Sequence, residues 1–315
     1  MYETPTSDSS DRPSPALARG FAGLAALTFC LIVVGALVRA NDAGLACPDW
    51  PLCYGEVIPS FDLKVAFEWG HRVFAFFISL GLAVLSLLVR RDPRIRGRLL
   101  LAWAVLAVQI VFGGLTVLLS LAPWTVSVHL VLGNFFCLVL LWISRDLAEN
   151  FGVGRAPLKL PPGAEALVWV TSVALFIQMV LGGWVSSHYA GLACLDFPTC
   201  DGERVIPTLK GLVGMHVLHR LNGFVLLCGY GILAFRVQRI GRMGGLAKLG
   251  CALVVTQIGV GVVNVLFRLP IPVTALHSGL AAAIVLVTAM LVREALETRS
   301  TRAQINPEAR MVEVR

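Results

Sequence analysis

Charged residues are scarce in this chain, and their scarcity restricts its class. Only 14% of the 315 residues are charged, whereas 57% are hydrophobic. Soluble globular domains carry about 25% charged residues, so an ordinary soluble domain is excluded. The apolar residues instead form eight runs. Each run has about 18 residues or more, which is the length that a helix needs to span a bilayer. The runs cover residues 21–38, 67–89, 99–120, 125–144, 166–186, 212–235, 249–267 and 272–292.

The connections and the basic residues predict how these eight helices are arranged. The short segments "LAPW" and "RLPIP" separate runs three from four and seven from eight, which predicts two tight hairpins. With the N-terminus inside, the inner segments hold 19 of the 26 Lys and Arg residues and the outer loops hold 5. This bias predicts that both termini are cytoplasmic. Because the net charge of +7 lies in membrane-facing inner loops, it requires no nucleic acid partner.

The chain contains an internal duplication. The stretch "GLACPDWPLCYGEVIP" (44–59) returns as "GLACLDFPTCDGERVIP" (191–207), at an offset of 147 residues that becomes 148 after one insertion. At the new offset "EWGHR" (68–72) aligns with "HVLHR" (216–220). Because each copy contains four helices, an even number, both copies have the same orientation. The first helix has a counterpart, which argues against removal of a signal peptide after "ALVRA".

The duplication also defines the expected domains. A cytoplasmic tail (1–20) precedes an N-terminal four-helix bundle (21–146). A cytoplasmic linker (147–165) leads to a C-terminal four-helix bundle (166–293), and a second cytoplasmic tail (294–315) follows. The expected fold is therefore an all-α membrane protein of two parallel-repeat four-helix bundles with pseudo-twofold symmetry about the membrane normal.

Four of the six histidines recur in the repeat, His71 and His129 in the first copy and His219 and His277 in the second. Each lies a few residues from the outer end of an even-numbered helix. Ionisable groups within a membrane are costly and usually functional. Two facing imidazoles suit an iron whose other ligands are porphyrin nitrogens, whereas zinc requires three or four protein ligands. The pattern predicts one heme in each bundle.

Two arginines and two glutamines accompany these histidines. Arg72 and Arg220 directly follow predicted ligands near the outer interface. They either bind heme propionates through charge-assisted hydrogen bonds or extend to the interface without a heme contact. Gln109 and Gln257 recur near mid-membrane, where hydrogen bonds to neighbouring helices are expected in preference to substrate contacts.

The copies differ at one position beside a predicted ligand. Glu68 stands three residues before His71, whereas His216 stands three residues before His219. Residues at this spacing share a helix face. A carboxylate there suits an enzyme, as a proton donor or acceptor or as a stabiliser of positive charge. The alternatives are that Glu68 pairs with an arginine or water at the interface, and that His216 replaces His219 as ligand.

Each outer loop carries two cysteines, Cys47 and Cys53 in the first copy and Cys194 and Cys200 in the second. The predicted orientation places both loops in an oxidising compartment, where closely spaced cysteines form disulfides. We therefore expect the pairs Cys47–Cys53 and Cys194–Cys200, which would tether the loops above the two heme sites. A thiol relay and metal binding are the alternative roles.

The chain resembles the heme A synthase family over nearly the whole helical span. The resemblance is carried by "EWGHR", the "HR" of helix 6, the single histidines of helices 4 and 8 and the outer "CPDWPLC". The resemblance implies oxidation of a ring methyl of heme O to a formyl group, in two oxidation steps and a loss of water, to give heme A for terminal oxidases. It implies substrate heme O between His71 and His129 beside Glu68, and a resident heme b on His219 and His277. Cysteine pairs in both loops and the additional histidine of "HVLHR" depart from the family pattern.

The resemblance leaves the mechanism and the partners open. The oxidation is either two oxygen insertions or electron removal followed by attack of water, with Glu68 stabilising a cationic intermediate. The implied partners are an unidentified electron donor, a heme O synthase and a second copy of the chain. Two rival functions are a diheme b-type cytochrome that only transfers electrons and a heme transporter or delivery protein. Neither rival would produce a formyl group.

Overall fold

The structure, a computed structural model, describes residues 15–60, 62–149 and 160–305. Within these ranges eight α-helices are long and apolar enough to cross a membrane, and no β-strand is formed. The predicted all-α membrane fold with eight spanning helices is therefore confirmed. The helices are α1 (Pro15–Ala40), α2 (Leu63–Val89), α3 (Arg96–Leu118), α4 (Pro123–Ala148), α5 (Ala164–Ser187), α6 (Gly211–Val237), α7 (Gly241–Leu266) and α8 (Ile271–Ile305).

Local sequence explains several helix ends. Asp62 caps α2, because its Oδ1 accepts a hydrogen bond from the N–H of Val65 at 2.8 Å. Pro123 occupies the first turn of α4, where its missing N–H removes no helical hydrogen bond. The two predicted hairpins each contain two successive residues with positive φ, Ser120 and Leu121 before α4 and Arg268 and Leu269 before α8. The same backbone turn thus recurs 148 residues apart.

The termini of the helical region differ from the predicted bounds. α1 begins at Pro15 within the expected N-terminal tail, and α8 continues to Ile305, beyond the predicted end at residue 292. Charged residues end the apolar run of α8, but the helix continues past them because the first charged side chain is buried and paired. Arg293 is only 1% exposed and contacts Asp146 of α4 at 2.5 Å and Glu297 at 2.9 Å. Residues 1–14, most of the expected linker and residues 306–315 lie outside the described residues.

Helix packing gives each half of the chain its own apolar core. In the first half α1 packs against α2 and α4, and α3 packs against α4. In the second half α5 packs against α6 and α8, and α7 packs against α6 and α8. The halves meet through α1, α4, α5 and α8, where the indole N–H of Trp142 donates to the carbonyl of Ala289 at 3.0 Å. The two-bundle division and its pseudo-twofold axis remain predictions, which these recurring contacts support.

Candidate functional site

A disulfide closes the loop at one end of each half. Cys47 is bonded to Cys53 in the α1–α2 loop, and Cys194 is bonded to Cys200 in the α5–α6 loop. Both predicted pairings are therefore present. Asp49 further organises the first loop, because its carboxylate accepts hydrogen bonds from the backbone N–H groups of Tyr54 at 2.6 Å and Gly55 at 2.8 Å. These bonds, that of Gly55 foremost, hold the pKa of Asp49 below its ordinary value.

Glu68 joins the first loop to helix α2. Its side chain is buried, with 4% exposure. One carboxylate oxygen accepts the backbone N–H of Cys47 at 2.8 Å, and the other accepts from Arg72 at 2.7 Å. Arg72 also donates to the loop carbonyls of Asp49 at 2.8 Å and Leu52 at 2.5 Å. Glu68 is thus a paired carboxylate that fixes the disulfide loop at the end of α2 nearest His71.

His216 occupies the equivalent place in the second half. Its Nδ1 accepts the backbone N–H of Cys194 at 3.3 Å, and its side chain is 5% exposed. Arg220 donates to the loop carbonyls of Thr199 at 3.1 Å and Cys194 at 3.4 Å. Helix α6 contains no carboxylate. Both halves therefore anchor the loop in the same way, but the first half uses an anion and the second an imidazole.

The two predicted histidine pairs come together inside the helical halves. The ring centres of His219 and His277 lie 6.4 Å apart, with their planes at 59°. Metal–imidazole bonds of about 2 Å on either side of one ion would separate two ring centres by roughly 6 Å. The observed separation fits a porphyrin iron between the rings. His71 and His129 likewise lie within electrostatic range of one another.

A glycine on the preceding helix lies against each of these four imidazoles. A Cβ atom at any of these glycines would approach Cε1 of the ring to 3.1–3.3 Å, closer than the 3.5–4.0 Å of an ordinary carbon contact. The sequence places Gly113 in "VFGG" and Gly261 in "GVGVV", stretches that can admit close helix packing or a flat macrocycle. Gly35 and Gly182 were not predicted, although their recurrence at the 147 offset was a usable signal. The pairs are Gly35 with His71, Gly113 with His129, Gly182 with His219 and Gly261 with His277.

Side-chain amides contact the C-terminal histidine pair in two ways. Gln178 Nε2 lies 3.2 Å from Nδ1 of His219 and donates to the carbonyl oxygen of the same residue at 3.1 Å. Asn222 donates to Oε1 of Gln178 at 2.8 Å. Gln257 instead donates to the carbonyl oxygen of His277 at 2.9 Å, the bond between helices that was expected. Gln178 and Asn222 were missed, because neither belongs to a recognised motif.

The N-terminal pair has a different polar surrounding. Gln109 Nε2 lies 3.3 Å from Nε2 of His129, so here an amide contacts the ring nitrogen on the opposite side. Within the described residues, the buried Nδ1 atoms of His71, His129 and His277 have no hydrogen-bond partner. The described part of the chain also contains no cluster of three or more metal-ligating side chains. Two histidines per half therefore suit porphyrin iron better than zinc.

These features define a multi-pass helical membrane protein with a histidine pair suited to heme iron in each half. The sequence model of the COX15-CtaA family, described as cytochrome oxidase assembly protein, matches residues 19–66 and 60–290. The chain belongs to this family, which confirms the resemblance drawn from the motifs.

Curated relatives of the chain carry the name heme A synthase. The protein of Shewanella oneidensis is 29% identical over 82% of this chain and 90% of its own length. That of Symbiobacterium thermophilum is 29% identical over 81% and 87%, respectively. The protein of a Bradyrhizobium species is 27% identical over 91% and 92%. The similarity thus extends over nearly the full length of these relatives.

Proposed function

We propose that this chain is a heme A synthase, an oxidoreductase that converts a ring methyl of heme O to a formyl group. Family membership and the names of the relatives support the reaction. The observation that carries the proposal within this molecule is the exchange of Glu68 for His216 beside otherwise equivalent histidines. Since the second half anchors its loop through an imidazole, anchoring the loop does not by itself require a carboxylate.

The two histidine pairs receive different hemes in this proposal. His71 and His129 bind the iron of substrate heme O, and His219 and His277 bind a resident heme b. When bound, heme b supplies one-electron redox chemistry. The ring separation of 6.4 Å supports an iron between His219 and His277, and the glycine beside every imidazole supports a heme at both pairs. We further propose a location in the bacterial inner membrane with both termini in the cytoplasm, and a heme O synthase, a second copy of the chain and an unidentified electron donor as partners.

The contacts of Glu68 favour a charge-stabilising role over proton transfer. Both carboxylate oxygens already accept hydrogen bonds, one from Cys47 N–H and one from the Arg72 guanidinium. Each oxygen is thus engaged by a donor, and the contact with Arg72 is an ion pair. A fixed negative charge in a buried site stabilises positive charge that develops on a nearby substrate. We therefore expect Glu68 to act as an oriented anion beside the substrate heme.

Arg72 and Arg220 have both a structural and a proposed binding role. Loop carbonyls already accept hydrogen bonds from both guanidinium groups. A guanidinium carries five N–H donors, and those that the loops do not use are the proposed partners of heme propionates. The disulfide loops would then hold each arginine in position for its propionate.

Heme extraction from membranes tests the proposed reaction. Membranes that contain this chain and a source of heme O should yield heme A. Glu68→Gln keeps an acceptor for Cys47 N–H but removes the charge, so it should retain bound heme and lower heme A formation by about 100-fold or more. Glu56→Gln, an exposed carboxylate in the same loop, is the matched control and should behave as wild type.

Two results would contradict the proposal in different ways. Recovery of only heme b and heme O from the wild-type protein would favour the diheme cytochrome. Normal heme A formation by Glu68→Gln would leave the reaction intact but refute the role of the carboxylate.

A further inference from the structure

One ring among the four recurring histidines differs from the others at Nδ1. Nδ1 of His219 lies 3.2 Å from the Gln178 amide, whereas the Nδ1 atoms of the other three have no partner in the described part of the chain. A histidine that ligates a metal through one ring nitrogen usually hydrogen-bonds through the other, which fixes the ring orientation and raises its basicity. His219 is therefore the only one of the four with such a contact.

The Gln178 amide is itself held in place. Asn222 donates to Gln178 Oε1 at 2.8 Å and to the carbonyl of Ala174 at 2.9 Å. Gln178 in turn donates to the carbonyl of His219 at 3.1 Å. The two amides thus link α5 to α6 directly behind the imidazole. Each end of the amide pair has a bonding partner, so Gln178 has little freedom to leave Nδ1.

The duplicated half lacks this arrangement. Leu31 aligns with Gln178 at the 147 offset, and Phe74 aligns with Asn222 at the 148 offset. Both apolar side chains pack against the N-terminal core. At the positions aligned with the two amides, the half that contains His71 therefore has apolar side chains. The duplication has kept the histidine and its glycine but has exchanged the side chains that would orient the ring.

The glutamine of the N-terminal half contacts the other ring nitrogen. Gln109 Nε2 lies 3.3 Å from Nε2 of His129, the nitrogen that would bind iron. In the C-terminal half Gln257 bonds only the backbone of His277. Iron binding by His129 would therefore have to displace an amide, whereas iron binding by His219 would retain one. This difference is the one expected if the N-terminal histidines bind an exchangeable heme and the C-terminal histidines bind a permanent heme.

We propose that Gln178, supported by Asn222, is a positioning residue that holds His219 as a permanent heme ligand, and that its replacement by Leu31 leaves the substrate heme exchangeable. The inference rests on the proposed heme b site at His219 and His277. When Nε2 coordinates iron, Nδ1 of a neutral imidazole carries the proton. An amide offers both a donor and an acceptor, so the contact is kept if both amides turn over in place. Gln178 Oε1 then accepts from Nδ1, Gln178 Nε2 donates to Asn222 Oδ1, and the bonds to the His219 and Ala174 carbonyls are given up.

The test uses the full-length protein purified in detergent, with heme b content, the electron paramagnetic resonance spectrum of the ferric heme and the midpoint potential as readouts. Gln178→Leu introduces the residue of the other half and should lower heme b affinity about tenfold or more. Loss of the acceptor makes the imidazole less basic and destabilises ferric iron, so the potential should rise. A tenfold change in relative ferric and ferrous affinity corresponds to about 59 mV. The spectrum should also change, because its g values depend on the angle between the two imidazole planes.

Two further variants separate positioning from general damage. Gln178→Glu keeps the shape and provides a charged acceptor, so it should retain heme b and lower the potential below that of wild type. Ser172→Ala removes a polar side chain from the same helix whose hydroxyl donates to the carbonyl of Val168 within that helix, and it should keep the wild-type spectrum and potential.

The possible contrary results are distinguishable. Wild-type affinity, spectrum and potential in Gln178→Leu would overturn the proposal. If that variant does not accumulate, an unchanged potential in Gln178→Glu would overturn it instead. Failure of the wild-type protein to hold heme b or to bind added hemin would remove the resident site itself, and with it this inference.

Discussion

Replacement of one glycine by alanine should displace a heme ligand by a predictable distance. A Cβ atom at position 261 would lie 3.3 Å from Cε1 of His277. Ordinary carbon contacts are about 3.5–4.0 Å, so the ring would have to retreat by roughly 0.2–0.7 Å. Metal–ligand distances tolerate deviations of about 0.2 Å. Gly261→Ala should therefore strain the bond between His277 and heme iron.

The cost of this displacement can be expressed as a loss of affinity. Forcing a side chain off its preferred rotamer costs about 0.5–1.5 kcal/mol. Since about 1.4 kcal/mol corresponds to a factor of ten, heme b affinity should fall by roughly 2- to 10-fold in Gly261→Ala. Gly261→Val brings more atoms toward the ring and should lose more. Titration of the heme-depleted protein with hemin measures the change.

A second glycine on the same helix provides the control. A Cβ atom at Gly259 would meet nothing within 4 Å. Alanine is favoured over glycine in a helix interior by up to about 1 kcal/mol, so Gly259→Ala should keep heme affinity and leave thermal stability unchanged or raised. Equal heme affinities of Gly261→Ala and Gly259→Ala would refute the argument that glycine makes room for the ligand.

Two predictions concern parts of the molecule outside the heme sites. Arg293→Ala should destabilise the protein by about 1.5–3 kcal/mol, because Asp146 would lose its buried partner and keep only Arg98. Thermal unfolding in detergent measures this, and loss of the more exposed local pair in Arg94→Ala should cost below about 1 kcal/mol. A similar loss in both variants would contradict the ranking. Asp49→Ala should speed amide exchange at the N–H groups of Tyr54 and Gly55 at neutral pH. Because the pKa of Asp49 is lowered in the folded loop, its carboxylate protects these N–H groups above the ordinary pKa of 3.8, and the protection is lost as the pH falls through the lowered pKa. An effect of Asp49→Ala on exchange that persists in strong acid would contradict the role of the Asp49 carboxylate.

The sequence carried the features that depend on composition and on repetition. Eight apolar runs predicted the eight helices, because only a helix satisfies its backbone hydrogen bonds within one segment in lipid. The duplicated outer loops predicted both disulfides, since each pair lies close in sequence. The continuation of α8 was not predicted, because the partner that stabilises Arg293 is Asp146, which lies on a helix from the other half.

In the candidate site, too, the recurring residues could be predicted from the sequence, whereas the contacts between helices could not. The recurrence of His71, His129, His219 and His277 was visible in the sequence, but the contacts of their rings were not. Gln178 is one polar residue in an apolar helix, and its role becomes evident only when α5 and α6 are packed together. Sequence reasoning identifies such ligands by type and spacing, whereas the residues that orient them depend on how neighbouring helices meet.

The duplication makes the two halves controls for one another. The loop anchor, the glycine beside each ring and the histidines themselves are shared, so none of these can account for a difference in function. What differs is the exchange of Glu68 for His216 and of Leu31 for Gln178. In the proposed function, the first exchange places a carboxylate beside the substrate heme, and the second removes an orienting hydrogen bond from a ligand of that same heme. A substrate must both react and leave, and the half with the anion is also the half with the less constrained ligand. Both exchanges therefore support the proposal that the N-terminal half carries the chemistry and the C-terminal half the permanent cofactor.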